Sequence, residues 1–311
     1  MSETKSLYDK ATAAYLGLAV GDALGATVEF MTPQEIQAEY KVHQEMIGGG
    51  WLKLKPGNVT DDTTMSLALG ESILAEDAVV PLAVANAYSD WLKAKPVDVG
   101  NTVRRGIIYF RHRGKPVVPE NMTDGGNGAC MRTLPVALST LFQSEANVRT
   151  ASKGQAHTTH NSPLSDAGTE CITLVLQAAL LNTEKSKLKQ QWVSPLIQRY
   201  PEFEYQYEQR QNPTGYIVET LQAVFQAFFN NITFEDCVID VVNRGGDADT
   251  TGAITGMLAG AYYGMRGIPE RWLEVLDTDI QQACVLQAKQ LIDLAMSSSN
   301  NSETSSLVAQ R

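Results

Sequence analysis

The chain has 311 residues, with 25 Lys and Arg against 35 Asp and Glu, so its formal net charge is −10. This acidic balance argues against duplex nucleic acid as the main partner, because a protein that binds the phosphate backbone needs a basic surface. A hydrophobic content of 43% and a charged content of 19% exclude wholesale disorder. We expect one domain at 1–296, followed by a disordered Ser/Asn-rich tail at 297–311.

The N-terminal region has no charged start followed by an apolar run, so no signal peptide is predicted. No uncharged run reaches the length that spans a bilayer, and the apolar segment 11–30 carries Asp22 and Glu29. The four cysteines lie far apart without a CxxC motif, which is typical of reduced thiols. Together these features predict a cytoplasmic protein.

Helical periodicity dominates the chain, and the alternating runs typical of strands are hard to find. We therefore predict an all-α, compact single-domain helical bundle. The predicted helices span residues 8–25, 62–74, 81–93, 127–142, 165–181, 216–230, 234–243 and 271–296, with one more through the glycines at 252–264. Long loops are expected at 31–60, 111–127 and 197–215, and the polar, Tyr-rich 197–215 is expected to lie outside the core.

Glycine recurs at every fourth residue in two segments near the two ends of the chain. The first set is Gly17, Gly21 and Gly25, and the second is Gly252, Gly256, Gly260 and Gly264. This spacing puts each set along one face of a helix. A glycine inside a helix costs up to about 1 kcal/mol, so we expect close helix–helix approach to compensate.

Two other segments place Asp and Thr together at a predicted helix start: Thr60-Asp61-Asp62-Thr63 and Gly245-Gly246-Asp247-Ala248-Asp249-Thr250-Thr251-Gly252. The first segment, taken alone, is typical of helix capping. Capping does not comfortably explain two aspartates that follow a double glycine in the second segment.

Brought together, the two segments would surround one point with four carboxylates and two threonine hydroxyl groups. Such a concentration of negative charge at low dielectric needs a cation to compensate it. The ligands are all hard oxygens, which favours Mg²⁺ or Mn²⁺ over Zn²⁺. Four shared carboxylates suit two ions that hold a water between them, so a paired metal site is the favoured interpretation.

Four weaker signals lie between these segments. Asp98, in a Pro- and Gly-flanked stretch, is equally typical of a turn. The loop 124–128 is glycine-rich and could hold a phosphate on its backbone N–H groups. His160 is interpreted as a substrate contact and His157 as structural, while Tyr216 could stack on a base or pack in the core.

The segment Gly21-Asp22-Ala23-Leu24-Gly25 with Glu29, followed by the two Asp/Thr segments, resembles the ADP-ribosylglycohydrolase family over roughly residues 10–290. The resemblance implies an all-α fold, a binuclear Mn²⁺ or Mg²⁺ site, and hydrolysis of the bond between ADP-ribose and an arginine side chain of a target protein. It implies metal ligands at Thr60, Asp61, Asp62, Asp247, Asp249 and Thr250. It implies catalytic groups at Asp98, Glu29 and Asp62, and ADP-ribose contacts at Asn101, Gly126, Asn127, Gly128, His160 and Tyr216.

Within this family, the segments 48–54, 96–102 and 126–128, with Met131 and Arg132, are most similar to the branch that reactivates dinitrogenase reductase. This similarity implies the ADP-ribosylated nitrogenase iron protein as substrate, control by a PII signalling protein, and regulated association with a membrane. Two other functions stay open: a metal-dependent nucleotide phosphohydrolase, and an ADP-ribose-binding regulatory protein without catalysis.

Overall fold

The computed structural model describes the backbone of residues 3–308 and the side chains of residues 4–299. The predicted all-α class is confirmed, because these residues form fifteen α-helices and only two isolated β-bridges, Gly49 with Leu54 and Gly126 with Tyr216. The helices are α1 Glu3–Gly25, α2 Pro33–Tyr40, α3 Asp61–Glu76, α4 Pro81–Lys93, α5 Asn101–Arg113, α6 Leu134–Ser139, α7 Glu145–Ala156, α8 Pro163–Leu180, α9 Lys185–Leu188, α10 Ser194–Arg199, α11 Ile217–Asn230, α12 Phe234–Val242, α13 Ala248–Tyr263, α14 Glu270–Val275 and α15 Thr278–Val308.

Helices α1 and α13 pack against each other along their glycine faces. A Cβ atom added to Gly21 would lie 2.0 Å from the carbonyl oxygen of Gly252, and one added to Gly17 would lie 2.3 Å from that of Gly256. Neither helix can carry a larger residue at these positions without moving apart. The predicted close helix–helix approach is thus confirmed, although Gly264 lies just beyond α13, with φ of 72°.

The pairing of α1 with α13 is antiparallel, because residues late in α1 face residues early in α13. Gly25, the last residue of α1, faces Ala248, the first residue of α13. The end of α1 therefore lies beside the loop that carries the second Asp/Thr segment. This register is what brings Asp22 and Glu29 to that segment.

The predicted helix at 127–142 is wrong for most of its length. Residues 128–132 form turns, and only α6 is helical. Pro135 explains the late start of α6, because a proline is tolerated in the first turn of a helix but would break a helix that ran on from residue 127. Helices α2, α5 and α7 lie in regions where no helix was predicted.

The segment 197–215 is not wholly outside the core, contrary to the prediction. Phe203 and Tyr205 are buried, and the Tyr205 ring lies 5.5 Å from the Phe225 ring. The sequence did not indicate their burial, because these two aromatic residues stand alone in a polar stretch. The division into a domain at 1–296 and a disordered tail at 297–311 stays a prediction, and residues 309–311 lie outside those described.

None of the helices found between residues 3 and 308 combines the length and the apolar character needed to cross a membrane.

Candidate metal centre and substrate cleft

Asp22, in the last turns of α1, holds the start of α3 in place. Its fully buried carboxylate accepts hydrogen bonds from the backbone N–H groups of Thr60 and Thr63, at 2.9 and 3.0 Å. It also accepts hydrogen bonds from both threonine hydroxyl groups, at 2.9 and 2.5 Å. Thr60 therefore does not cap its helix with its side chain, contrary to the capping interpretation.

Six carboxylate residues, called here the carboxylate cluster, converge beside Asp22: Glu29, Asp61, Asp62, Asp98, Asp247 and Asp249. Carboxylate oxygens of Glu29, Asp98 and Asp249 lie within 4.8 Å of one another. Thr60 Oγ1 lies 3.3 Å from Asp62 Oδ2 and 3.4 Å from Asp249 Oδ2, and Thr250 Oγ1 lies 3.3 Å from Asp62 Oδ2. The two Asp/Thr segments thus meet at one point, as the sequence predicts.

Burial makes the charged form of these groups unfavourable. Loss of solvation raises the pKa of Asp61 to about 7 and that of Glu29 to about 8, and neighbouring carboxylates add to both shifts. The pKa values of Asp62 and Asp249 are raised well above their usual range for the same reasons. A cluster of this kind is stable in its ionised form only if a cation compensates it.

Asp62 carries a second sign that the cluster suits a metal ion. Its Oδ1 atom is buried and has no hydrogen-bond partner among the described residues. A buried polar atom is costly when it is unpaired, so an unpaired carboxylate oxygen inside an oxygen-rich cluster is typical of a metal ligand. The donor set of carboxylates and threonine hydroxyl groups fits a hard divalent cation.

The cluster forms the floor of a cavity of about 470 Å³. Of the candidate site residues, eleven line it: Glu29, Asp61, Asp98, Asn101, Gly126, Asn127, Gly128, His160, Asp247, Asp249 and Thr250. Asp62 lies next to these residues within the cluster, and Thr60 contacts Asp62 and Asp249. Tyr216 is half-exposed, not in the core, and bridges to Gly126 through the backbone.

The glycine loop, residues 124–128, forms one wall of the cavity. Asn127 Nδ2 donates to Asp247 Oδ2 at 2.5 Å and to Thr220 Oγ1 at 2.9 Å, and this fixes the loop against the cluster. A Cβ atom at Gly126 or Gly128 would lie 2.8 Å from the imidazole ring of His160. Glycine is therefore required where the loop backbone packs on this ring.

A hydrogen-bond chain determines which nitrogen of His160 carries the proton. Arg132 Nη2 can only donate, and it does so to Thr159 Oγ1 at 2.7 Å. The hydroxyl hydrogen of Thr159 then has one acceptor within reach, His160 Nδ1 at 2.8 Å. Burial and the nearby Arg132 lower the pKa of His160 to about 3, so the ring is neutral. Its proton is thus on Nε2, which points to the glycine loop and the cavity as a donor.

Two exposed aromatic side chains flank the cluster on the α1 side. Trp51 Nε1 donates to Glu29 Oε2 at 2.6 Å, and the Trp51 ring lies 5.5 Å from that of Phe30. Phe30 has φ of 63°, a conformation that is rare for a bulky residue. Both line the cavity, and the hydrogen bond fixes the orientation of Glu29.

Sequence reasoning missed several residues of this site. Asp22 could have been found as a single acid in an apolar, glycine-rich helix, and Arg132 as a single cation in an apolar stretch. Such residues rarely lie in a core without a partner. No comparable signal marks Trp51 or Thr159.

Comparison with known proteins agrees with this architecture. The family model described as ADP-ribosylglycohydrolase matches residues 3–302. The ADP-ribosyl-[dinitrogen reductase] glycohydrolase of Rhodospirillum rubrum is 47% identical over 93% of this chain and 98% of its own length. The ADP-ribosylarginine hydrolase Tri1 of Serratia proteamaculans is 32% identical over 88% of this chain and 76% of its own length.

A solved structure, of an ADP-ribosylglycohydrolase-related protein complex, superimposes with a TM-score of 0.83 at 33% identity and covers 94% of this chain and 99% of its own. The all-α fold is thus shared with this solved structure. The chain belongs to the ADP-ribosylglycohydrolase family.

Proposed function

We propose that this protein is a metal-dependent hydrolase that removes ADP-ribose from an arginine side chain of a target protein. The observation that carries the proposal is the carboxylate cluster at the floor of a cavity that also presents the glycine loop and the His160 donor. Two relatives named as ADP-ribosylarginine hydrolases match 88% and 86% of the chain. The relative at 47% identity is named for dinitrogen reductase, which supports the ADP-ribosylated nitrogenase iron protein as target.

The proposed ligands of two Mn²⁺ or Mg²⁺ ions are Thr60, Asp61, Asp62, Asp247, Asp249 and Thr250. The buried, unpaired Oδ1 of Asp62 and the hard-oxygen donor set support this assignment. When bound, such ions polarise substrate oxygens and lower the pKa of a coordinated water. Asp22 and Asn127 position this set, through Thr60 and Asp247 respectively.

Hydrolysis adds the hydroxyl group of water to the anomeric carbon, breaks its bond to the guanidine nitrogen and puts one proton on that nitrogen. We assign the proton transfer to Asp98, because its half-buried carboxylate makes no hydrogen bond with the described residues. Glu29, fixed by Trp51, adds negative charge beside the reacting carbon, where an oxocarbenium-like state develops. His160 Nε2 and the N–H groups of the glycine loop can bind the phosphate oxygens.

Control by a PII protein, regulated association with a membrane and a cytoplasmic location remain parts of this proposal. The four cysteines are free and buried, which supports a reducing compartment.

The test is release of free ADP-ribose from ADP-ribosyl-arginine in Mn²⁺, Mg²⁺ or EDTA, with inorganic phosphate measured in parallel. We expect release with either ion, none in EDTA, and no phosphate. Asp249→Asn should abolish release, whereas Asp90→Asn, an exposed change on α4 that removes only the Lys93 ion pair, should not. Phosphate release from a nucleotide, or ADP-ribose binding without release when the ions are bound, would contradict the proposal.

A further inference from the structure

One edge of the cavity is strongly basic in an otherwise acidic chain. Residues 93–115 contain seven of the 25 Lys and Arg residues but a single acid, Asp98, which lines the cavity. These cations, called here the basic lip, are Lys93, Lys95, Arg104, Arg105, Arg111, Arg113 and Lys115. All seven are exposed.

Four cations of the basic lip are not neutralised within the protein. Lys93 pairs with Asp90, Arg105 pairs with Asp124, and Arg111 donates to Ser89. Lys95, Arg104, Arg113 and Lys115 make no ion pair or side-chain hydrogen bond with residues 4–299. Unpaired charge of one sign, concentrated in one segment, produces a local positive potential that the overall charge of −10 conceals.

The basic lip begins at the cavity itself. Residues 98–100 and the first turn of α5, 101–103, line the cavity, and the rest of α5, which does not line it, carries Arg104, Arg105, Arg111 and Arg113. A helix of this length extends about 18 Å. Arg105 and Thr102 both donate to Asp124 of the glycine loop, so the lip is tied to the wall of the cavity.

Exposed apolar side chains lie in the same segment as these cations. Val97 and Ile108 are 59% and 42% exposed. Arginine is enriched at protein–protein interfaces, which also bury apolar side chains, and the proposed substrate of this cavity is itself a protein. The mixture favours a protein as the partner.

We propose that the basic lip docks an acidic surface of the target protein, next to the modified arginine. This inference rests on the proposed function, because it requires a protein substrate whose ADP-ribose enters the cavity. Charge complementarity of this kind raises the association rate and selects among partners more than it alters chemistry. The lip is thus a specificity determinant outside the catalytic site.

The test uses three substrates: free ADP-ribosyl-arginine, and two peptides in which ADP-ribosyl-arginine has either four Glu or four Lys residues on each side. A flank of four residues extends about 13 Å and so reaches the near end of the basic lip. For the wild type we expect kcat/KM to be about tenfold higher for the Glu peptide than for the Lys peptide. Added salt at 0.5 M, with a Debye length of about 4 Å, should remove the difference.

The decisive variant is Lys95→Glu with Arg104→Glu. It should reverse the preference between the peptides and leave turnover of free ADP-ribosyl-arginine unchanged, which also shows that the variant is folded. The matched control is Lys187→Glu with Lys289→Glu, two exposed lysines that do not line the cavity; it should keep the wild-type preference.

An unchanged preference in the lip variant would overturn the inference, as would an equal change in the control variant. It would also be overturned if the lip variant lost binding to phosphatidylserine vesicles while its peptide preference stayed the same, since the lip would then serve a membrane. Absence of ADP-ribose release from all three substrates by the wild type would instead contradict the proposed function.

Discussion

Thr159 lies between a hydrogen-bond donor and a hydrogen-bond acceptor. Its hydroxyl oxygen accepts a hydrogen bond from Arg132, and its hydroxyl hydrogen is directed to His160 Nδ1. Arg132 is fully buried and forms no ion pair with the described residues. Its guanidinium group donates to Thr159 and Gln155 and lies over the Tyr88 ring at 4.5 Å. Arg132 therefore determines the protonated nitrogen of His160, which lines the cavity, through the hydroxyl group of Thr159.

In Thr159→Val, nothing should determine which nitrogen of His160 carries the proton, because valine has nearly the same shape as threonine but no hydroxyl group. We expect His160 to become a mixture of tautomers, visible in its ¹⁵N chemical shifts, and the affinity for ADP-ribose to fall about tenfold. Thr159→Ser keeps the hydroxyl group and should retain most of the affinity. A valine variant whose His160 stays protonated on Nε2 would show that Thr159 does not select the tautomer.

Asp22→Asn tests how far the metal site depends on a residue that is not a proposed ligand. An amide offers one acceptor in place of two, and its NH₂ group would face the N–H groups of Thr60 and Thr63. We expect metal affinity, measured by equilibrium dialysis, to fall about 10- to 100-fold, with activity partly recovered at high Mn²⁺. Unchanged affinity would mean that the Asp22 hydrogen bonds do not position the ligands.

Gly21→Ala should destabilise the fold, although alanine is the better helix former by about 1 kcal/mol. The added Cβ would lie 2.0 Å from the Gly252 carbonyl oxygen, so α1 and α13 must separate. We expect the free energy of unfolding in urea to fall by about 2 kcal/mol or more. The control is Gly100→Ala, whose Cβ would meet only Val103 Cγ2 at 3.9 Å and should change stability little.

The metal-free protein should become less stable as pH rises from about 5 to about 8.5. Burial raises the pKa values of Asp61 to about 7 and of Glu29 to about 8, while an unfolded chain has values near 4. In this range the folded state binds more protons than the unfolded state, so the free energy of unfolding falls with rising pH. The measurement is Tm in EDTA across this range.

Saturating Mn²⁺ should remove most of this decline, because the cation compensates the ionised cluster. Asp61→Asn should weaken the decline in EDTA, since it removes one of the groups that titrate. A Tm that stays level or rises with pH in EDTA would contradict the electrostatic description of the cluster.

The sequence was most informative where the signal is local. Four-residue spacing was enough to predict the glycine faces of α1 and α13, and the pairing of Asp with Thr was enough to predict that two segments share a site. Contacts such as Asp22 with Thr60 could not be predicted, because they depend on the register between helices far apart in the chain. Helix α5 was missed because many of its residues are polar and exposed, although Val103, Ile107 and Phe110 lie at helical spacing.

The antiparallel register of α1 and α13 also has a consequence for synthesis of the protein. Asp22 and Thr60 leave the ribosome early, whereas Asp247 and Asp249 leave it only after most of the chain has been made. A nascent chain therefore carries half of a cation-binding centre for most of its translation. We expect the chain to bind metal only after α13 has packed against α1, so the time of metal binding marks this late step of folding.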